Sequence, residues 1–263
     1  MSTLEPAAVA ADVAEVPTES APTQEEQEQA EEEATDPLPV TDQLRFKSMY
    51  TFPHGASRYK AELQFEPLLP YPGVILPGLD IEGLWSLARV QLTGESLQNA
   101  QGTAGGLEDL NFVDLAADRL GPLTLGVGVA TVFPLATSAQ LGQGKWQLGP
   151  ALGFDLRPVS ALRVAAIAQG LWSVAGSSAS PTLAYATVQP FLTVSLPEAL
   201  FLSSDATMSF YWAGGSTTVP VNLGFGHAFS KHFVGTLKCQ VTVAGPASDR
   251  GEIRGDFVLT IFP

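Results

Sequence analysis

Hydrophobic and polar residues alternate along most of the chain, and the alternation is clearest over residues 183–212. In the first half of this stretch every second position is apolar, as at Val188 and Leu192, and most positions between them are polar, as at Thr187. After a Pro-Glu-Ala turn the alternation resumes, with Ser204 as the exception on the apolar side. Successive side chains of a β-strand point to opposite faces, so the stretch predicts a hairpin with one apolar and one polar face.

Each strand of this hairpin is about 13 residues long, well above the roughly 5–6 residues that are usual in soluble proteins. A tilted strand that crosses a membrane needs roughly 9–11 residues. The pattern recurs from residue 42 onward and predicts an all-β fold, a transmembrane antiparallel β-barrel of about 12 strands. A loss of phase near Gly83 predicts a bulge in the third strand. The predicted strands cover residues 43–52, 58–69, 79–92, 106–117, 121–134, 145–157, 160–174, 183–196, 199–213, 217–229, 232–244 and 251–262.

The predicted connections alternate in length. The odd-numbered ones are mostly long, such as LTGESLQNAQGT, whereas most even-numbered ones are tight turns such as DRLG; residues 70–78 are the exception. An even number of strands with long loops at one end is typical of an outer-membrane barrel, and this arrangement would place both chain ends on the periplasmic side. The alternative is a soluble β-sandwich or a lipocalin-like barrel, in which the apolar face would point inward. The long strands and the charged polar face favour the membrane barrel.

Negative charge is concentrated at the N-terminus. Residues 1–41 hold eleven of the 27 carboxylates and none of the 13 Lys and Arg residues, and the rest of the chain is nearly neutral. We therefore expect no nucleic-acid partner. No run of 18 apolar residues occurs, which excludes a helical membrane span. The single cysteine, Cys239, excludes an intrachain disulfide and a Cys-rich metal site.

The composition divides the chain into an acidic tail over residues 1–41, disordered or weakly helical, and a barrel over residues 42–263. Thr23 and Glu26 have the spacing of a helix capping box. The acidic run has no apolar stripe to bury, so at most a frayed, solvated helix is expected there. The N-terminus lacks a basic start followed by an apolar stretch, so a signal peptide is not expected in this chain. The strand pattern nevertheless predicts a location in the outer membrane of a Gram-negative bacterium.

The polar face of the predicted strands carries charges that would line a pore, and aromatic residues near the strand ends fit the girdles at the membrane surfaces. No phosphate-binding loop, metal-ligand cluster or catalytic nucleophile stands out, so no catalytic residue, metal or cofactor is expected. The expected pore-lining residues are Arg58, Lys60, Glu62, Glu66, Arg89, Lys145, Asp155, Arg163, Asp205, Lys238 and Arg254. The expected interface aromatics are Tyr50, Phe52, Trp146, Trp172, Phe210 and Trp212.

Several separated segments resemble one family of bacterial proteins. They are GLEDLNF (106–112), LATSAQLGQGKWQLGP (135–150), LWSVAG (171–176), VQPFLTVSLP (188–197), TVPVNLGFG (218–226) and the terminal LTIFP (259–263). Together they are similar to outer-membrane barrels assigned as transporters of the phenol-degradation meta-pathway. The resemblance implies a channel that admits small hydrophobic or aromatic compounds, and it implies no catalytic residues. The acidic tail departs from the family pattern, and the terminal aromatic Phe262 is followed by Pro263.

Three functions follow from these patterns. The first is a channel or transporter for small molecules, working by passive or facilitated diffusion through a charged lumen. The second is an outer-membrane enzyme that modifies lipid or lipopolysaccharide, with loop residues such as His54 as catalysts. The third is a non-conducting barrel that presents its loops or its tail to a partner. The expected partners are the lipid bilayer and lipopolysaccharide, the barrel-assembly machinery during biogenesis, and a small-molecule solute.

Overall fold

The computed structural model describes residues 22–52, 59–72, 85–99, 102–212, 215–247 and 249–263. Within these ranges one helix precedes fourteen strand segments, all of which belong to a single antiparallel sheet. The elements are α1 (Gln24–Ala34), β1 (Gln43–Phe52), β2 (Tyr59–Pro72), β3 (Trp85–Asn99), β4 (Gly102–Leu107), β5 (Leu110–Leu120), β6 (Leu123–Phe133), β7 (Lys145–Val159), β8 (Leu162–Gly176), β9 (Ala184–Leu196), β10 (Leu200–Ser204), β11 (Met208–Tyr211), β12 (Thr217–Ser230), β13 (Phe233–Ala244) and β14 (Ile253–Ile261).

The fourteen segments build a closed barrel of twelve strands. The segments β4 and β5 pair with successive parts of β3 and together form one strand of the barrel. In the same way, β10 and β11 lie between β9 and β12 and together form another. The first strand, β1, pairs with β2 on one side and with the last strand, β14, on the other, which closes the sheet. The prediction of an antiparallel barrel of about 12 strands is confirmed.

The barrel has two different ends. The tight turns β5–β6, β7–β8, β9–β10 and β12–β13 meet at one of them, together with the start of β1 and the finish of β14. We call this the short-turn end. Longer connections, such as residues 134–144 between β6 and β7, lie at the opposite, long-loop end.

The third strand is longer than predicted. It was expected to end at residue 92, before a loop, but β3 continues to Asn99 and forms a hairpin with β4. The segment containing Gly94 and Ser96 was expected to be a loop. Instead, the strand continues, the Glu95 side chain points inward, and its carboxylate pairs with Lys60 on β2. The bulge predicted near Gly83 lies outside the described residues.

The ninth predicted strand, 199–213, is interrupted. The Asp205 N–H donates to Asn222 Oδ1 at 2.8 Å, and the Asp205 carbonyl oxygen accepts from Gln189 Nε2 at 3.0 Å. Because side chains satisfy these backbone groups, the sheet ladder stops at Ser204 and resumes at Met208. The irregular alternation at Ser204 is the sequence sign of this break.

The apolar face of the strands points outward. Leu63, Val127, Leu223 and Leu237 are each 61–68% exposed on the outer wall. A soluble barrel would turn this face inward, whereas an outer apolar band is the hallmark of barrels that face lipid. Among the described residues, the one helix is too short and too polar to cross a membrane.

Residues 22–40 of the acidic tail are docked inside the barrel, which differs from the solvated helix expected from sequence. The capping box is present: Thr23 Oγ1 accepts from the Glu26 N–H, and the Glu26 carboxylate accepts from the Thr23 N–H. However, Ala30 and Glu31 are buried, and so is Leu38 in the following segment. The helix buries alanines and one carboxylate rather than an apolar stripe, so hydrophobic periodicity gave no sign of docking.

A lysine placed in the outer apolar band tests which face meets lipid. Val127→Lys puts a charge at the middle of β6, and we expect it to lower the unfolding free energy in lipid vesicles by about 2–4 kcal/mol. Ser178→Lys, in an exposed loop, should change it by less than about 0.5 kcal/mol. Equal, small effects in urea titrations of the two variants would contradict the assignment of the outer face.

Candidate channel interior

A cluster of charges inside the barrel surrounds the carboxylate of Glu66, which is fully buried. Its oxygens lie 2.6 Å from Lys47 Nζ, 3.2 Å from Arg89 Nε and 3.7 Å from Arg45 Nη1. Strand register brings Glu66 and its three basic partners together. Arg45 lies opposite Glu66, and all four side chains point inward from β1, β2 and β3. Gln91 Nε2 donates a further hydrogen bond of 2.9 Å to Glu66. We call these five residues the Glu66 belt.

The belt reaches across the barrel to the opposite wall. Arg89 on β3 donates to Gln189 Oε1 on β9 at 3.2 Å, and Gln189 in turn donates to the carbonyl of Asp205. The Asp205 carboxylate then pairs with Lys238 on β13 and accepts from Asn222 on β12. A cavity of about 50 Å³ lies between this network and the N-terminal segment.

The other part of the interior is apolar. Inward-facing side chains of β3 to β9 form a packed cluster that includes Leu87, Leu115, Ile167 and Phe191. Leu38 of the N-terminal segment packs into this cluster, next to Gly126 and Gly153. A Cβ atom added at Gly153 would lie only 3.2 Å from the Leu38 side chain. The expectation of a polar, charged lumen therefore describes one side of the interior only.

The C-terminal end of α1 is held by long side chains of the barrel wall. Arg163 on β8 donates to the Glu32 carbonyl at 2.6 Å and to Thr35 Oγ1 at 2.8 Å, and it pairs with Asp36 at 3.3 Å. Gln43 Nε2 donates to the Glu33 carbonyl at 2.7 Å. The last carbonyls of a helix have no partner within the helix and carry partial negative charge, so these donors both satisfy and attract them.

Arg45 links this attachment to the Glu66 belt. Its Nη2 donates to the carbonyls of Ala34 and Asp36, each at 3.1 Å, while its Nη1 faces Glu66. Arg163 is oriented in a similar way by Asp155, whose carboxylate lies 3.1 Å from its Nε. The donors Arg163, Arg45 and Gln43 are referred to below as the latch.

An apolar contact supports the other side of α1. Ala30 packs against Phe201, Ala228, Val234 and Phe262. Phe262 therefore points into the barrel and is 8% exposed. Its carbonyl oxygen lies 3.0 Å from His232 Nδ1.

Two carboxyl groups of α1 differ in their surroundings. The Glu31 carboxylate accepts a 2.6 Å hydrogen bond from Ser195 Oγ, and burial raises the pKa of this carboxyl above its usual value. Hydrogen bonds from Thr23 lower the pKa of Glu26, which is exposed.

A wider cavity of about 560 Å³ lies toward the long-loop end. We call it the vestibule. Residues 134–144 are folded over it, because the Asp109 carboxylate accepts from the Ala136 and Gln143 N–H groups at 3.1 and 2.7 Å. Lys60 Nζ lies among three carboxylates at its wall, 3.0 Å from Glu62, 3.0 Å from Glu95 and 3.2 Å from Glu108.

The structure brings together many of the charges expected to line a pore. Glu66, Arg89, Asp205 and Lys238 belong to the central network, whereas Lys60 and Glu62 lie near the vestibule. Asp155 and Arg163 lie at the latch, Arg254 pairs with Asp256 on its own strand, and Lys145 is buried at the long-loop end. Arg58 lies outside the described residues, as does His54 of the enzyme hypothesis. Whether these side chains line a conducting path stays a prediction.

The aromatic residues expected at an interface lie on the outer wall near the long-loop end. Tyr50, Phe52, Trp146, Trp172 and Trp212 are exposed there, and Phe210 is half-buried. Trp172 and Trp212 lie with ring centroids 5.0 Å apart. Their position fits a girdle, and their contact with a membrane surface stays a prediction.

Sequence reasoning missed several residues of the interior. Glu95 and Glu108 were not selected as interior residues, and Glu31 and Leu38 were assigned to a solvated tail. The sequence offered two signals, namely the capping box at Thr23 and an isolated leucine between two prolines, Pro37-Leu38-Pro39. Neither signal alone indicates where such a segment docks.

The barrel is similar to solved outer-membrane proteins, although no protein-family model and no curated protein sequence matches the chain. The COG4313 outer membrane channel from Pseudomonas putida F1 is 13% identical, with 86% of this chain and 97% of that one covered and a TM-score of 0.65. The NanC porin is 12% identical, with 84% and 99% covered and a TM-score of 0.55. Outer membrane phospholipase A from Escherichia coli is 9% identical, covers 89% and 98%, and has a TM-score of 0.49, which supports no argument. The chain therefore has the fold of outer-membrane channels and porins.

Removal of the central carboxylate tests the Glu66 belt. Glu66→Gln leaves Lys47, Arg45 and Arg89 crowded without their counter-charge, and we expect it to lower the unfolding free energy by about 3–5 kcal/mol. Glu198→Gln, on an exposed turn, is the matched control. Urea unfolding in lipid vesicles measures the unfolding free energy of both variants. A loss of less than about 1 kcal/mol for Glu66→Gln would mean that these charges are solvated and not buried, which would contradict the belt.

Loss of the main latch donor should release the helix. Arg163→Met removes charged hydrogen bonds worth about 1.5–3 kcal/mol each, so a protease that cleaves after glutamate should cut residues 24–34 at least about tenfold faster. Arg250→Met, in a loop at the long-loop end, should leave the rate unchanged. Mass spectrometry of the fragments measures the rates, and equal rates in both variants would mean that Arg163 does not hold α1.

Proposed function

We propose that the protein is an outer-membrane channel for small molecules, with a path along the polar side of the barrel interior that residues 22–40 close. One observation carries the proposal. The interior widens into a vestibule of about 560 Å³ toward one end, whereas at the other end α1 and Leu38 are packed against the inner wall of the barrel. A segment held by side-chain donors can leave without unfolding the barrel.

The contacts of α1 support a removable closure. Its helical carbonyls are satisfied by side chains of the wall, and no sheet hydrogen bond joins it to the barrel in the described residues. Release would expose the donors Arg163 and Arg45 to water, so most of their hydrogen bonds would be exchanged for bonds to water. The apolar contacts of the segment combine small side chains, Ala30 and Ala34, with Leu38, which is fully buried in the apolar cluster and whose release would cost the most.

The two-sided interior bears on the solute. A charged wall beside an apolar wall suits a small molecule with a polar group on a hydrophobic or aromatic body. The proposed lining residues are Lys60, Glu62, Glu66, Arg89, Asp205, Lys238 and Arg254, whose charges would set ion selectivity. The proposed partners are the outer-membrane bilayer with its lipopolysaccharide and the assembly machinery that inserts barrels. The similarity to an outer membrane channel from Pseudomonas putida agrees with this function at the level of the fold.

Deletion of residues 1–40 tests the proposal. In planar bilayers we expect the full chain to show small or infrequent current steps and the shortened chain to show large, frequent ones, because the short-turn end is no longer blocked. Folding of both proteins is checked first by heat-modifiable mobility in gels. A shortened barrel that folds but conducts no more than the full chain would contradict a path through this end.

A further inference from the structure

The ammonium group of Lys60 occupies a site built from three carboxylates. Its Nζ atom lies 3.0–3.2 Å from oxygens of Glu62, Glu95 and Glu108, and one oxygen of each carboxylate lies within 4.8 Å of the other two. An –NH₃⁺ group has three donors and no acceptor, so three convergent acceptors at this distance match it. One ammonium group faces three acidic side chains, so the site as a whole still favours cations.

The lining next to this cluster is also rich in acceptors without donors. Asn111, which lines the vestibule, has its Oδ1 atom buried with no hydrogen-bond partner in the described part of the chain. Gln147 is fully buried, and its Oε1 likewise has no partner there. Its amide nitrogen bonds to Gln143, whose side chain lines the vestibule. Strand register places Asn111, Val132 and Gln147 side by side at one height on β5, β6 and β7. Buried acceptors without donors are unfavourable, so the wall is suited to a solute that brings donors.

The body of such a solute would also have apolar contacts. Val132, Leu141 and Tyr185 line the same cavity, and the Tyr185 ring stacks on Tyr211 with centroids 5.0 Å apart. Val132 and Tyr185 belong to the apolar cluster that continues into the barrel. A donor-rich cation on an apolar or aromatic body therefore matches both parts of the lining.

From these observations we infer that the vestibule binds protonated primary amines and that Lys60 is an internal occupant of the site, displaced when the ammonium group of a solute takes its place between the carboxylates. The inference rests on the proposed channel function, for which it names the class of solute. Removal of the positively charged Lys60 side chain is therefore expected to strengthen the binding of a cation, because it removes the competitor for the site.

Calorimetric titration of the folded full chain in detergent micelles tests the inference. The probe is 2-phenylethylamine, and 2-phenylethanol, which has the same size but no charge, is the control. We expect the amine to bind and the alcohol to bind at least tenfold more weakly. Lys60→Met should bind the amine at least tenfold more tightly than the natural chain. The double variant Glu95→Gln with Glu108→Gln should bind it at least tenfold more weakly, and Glu198→Gln should leave the affinity unchanged.

The double variant keeps the inference testable if Lys60→Met fails to fold, because it removes negative charge from a crowded site and not its counter-ion. Amine binding that is equal in the natural chain and the double variant would overturn the inference. So would Mg²⁺ alone binding to Lys60→Met more tightly than the amine, since the cluster would then be a metal site. Titration in micelles requires no current. A protein that binds the amine without conducting would therefore refute the channel and keep the site, and one that conducts without binding would refute the site alone.

Discussion

The carbonyl groups at the C-terminal end of α1 impose the constraint on which the interior depends. They lie against the inner wall of the barrel, where a carbonyl that is buried without a donor is unfavourable. Arg163, Arg45 and Gln43 supply the donors from three points of the wall. Arg45 is shared with Glu66, so the closure at the short-turn end and the belt at mid-barrel form one connected network. The position of α1 and the ionisation of the belt are therefore expected to depend on each other.

The barrel could be predicted from the sequence because its determinants are local. Alternation along each strand defines the two faces, and the lengths of the connections define the two ends, so twelve strands and an outward apolar band follow without long-range information. The two errors in the strand bounds occur where contacts between residues distant in sequence decide the structure. The ladder breaks at Asp205 because Gln189 and Asn222, distant in sequence, satisfy its backbone, and β3 continues past residue 92 because Glu95 finds Lys60 on β2.

The candidate site was less predictable than the fold. Inward charges such as Glu66 and Arg89 could be selected by their parity, but parity does not show that one carboxylate gathers three bases or that Arg89 reaches Gln189 on the far wall. The docked helix was missed because its buried face consists of alanines and a glutamate, a pattern that also describes a solvated helix. The apolar side of the interior was missed because Leu115 and Ile167 face inward where polar residues were expected. Fold alone does not establish transport, so the assignment of function depends on this interior and on how it opens.

The docking of residues 22–40 inside the barrel can be tested by a distance measured in membranes. Spin labels would be placed at Gln29 on α1 and at Lys231 in the β12–β13 turn, with Cys239 replaced by serine. Double electron–electron resonance should then give one short, narrow distance distribution in the resting protein, because α1 is fixed at the short-turn end. A broad distribution extending to long distances would show that the segment is free, and the closure described above would then be wrong.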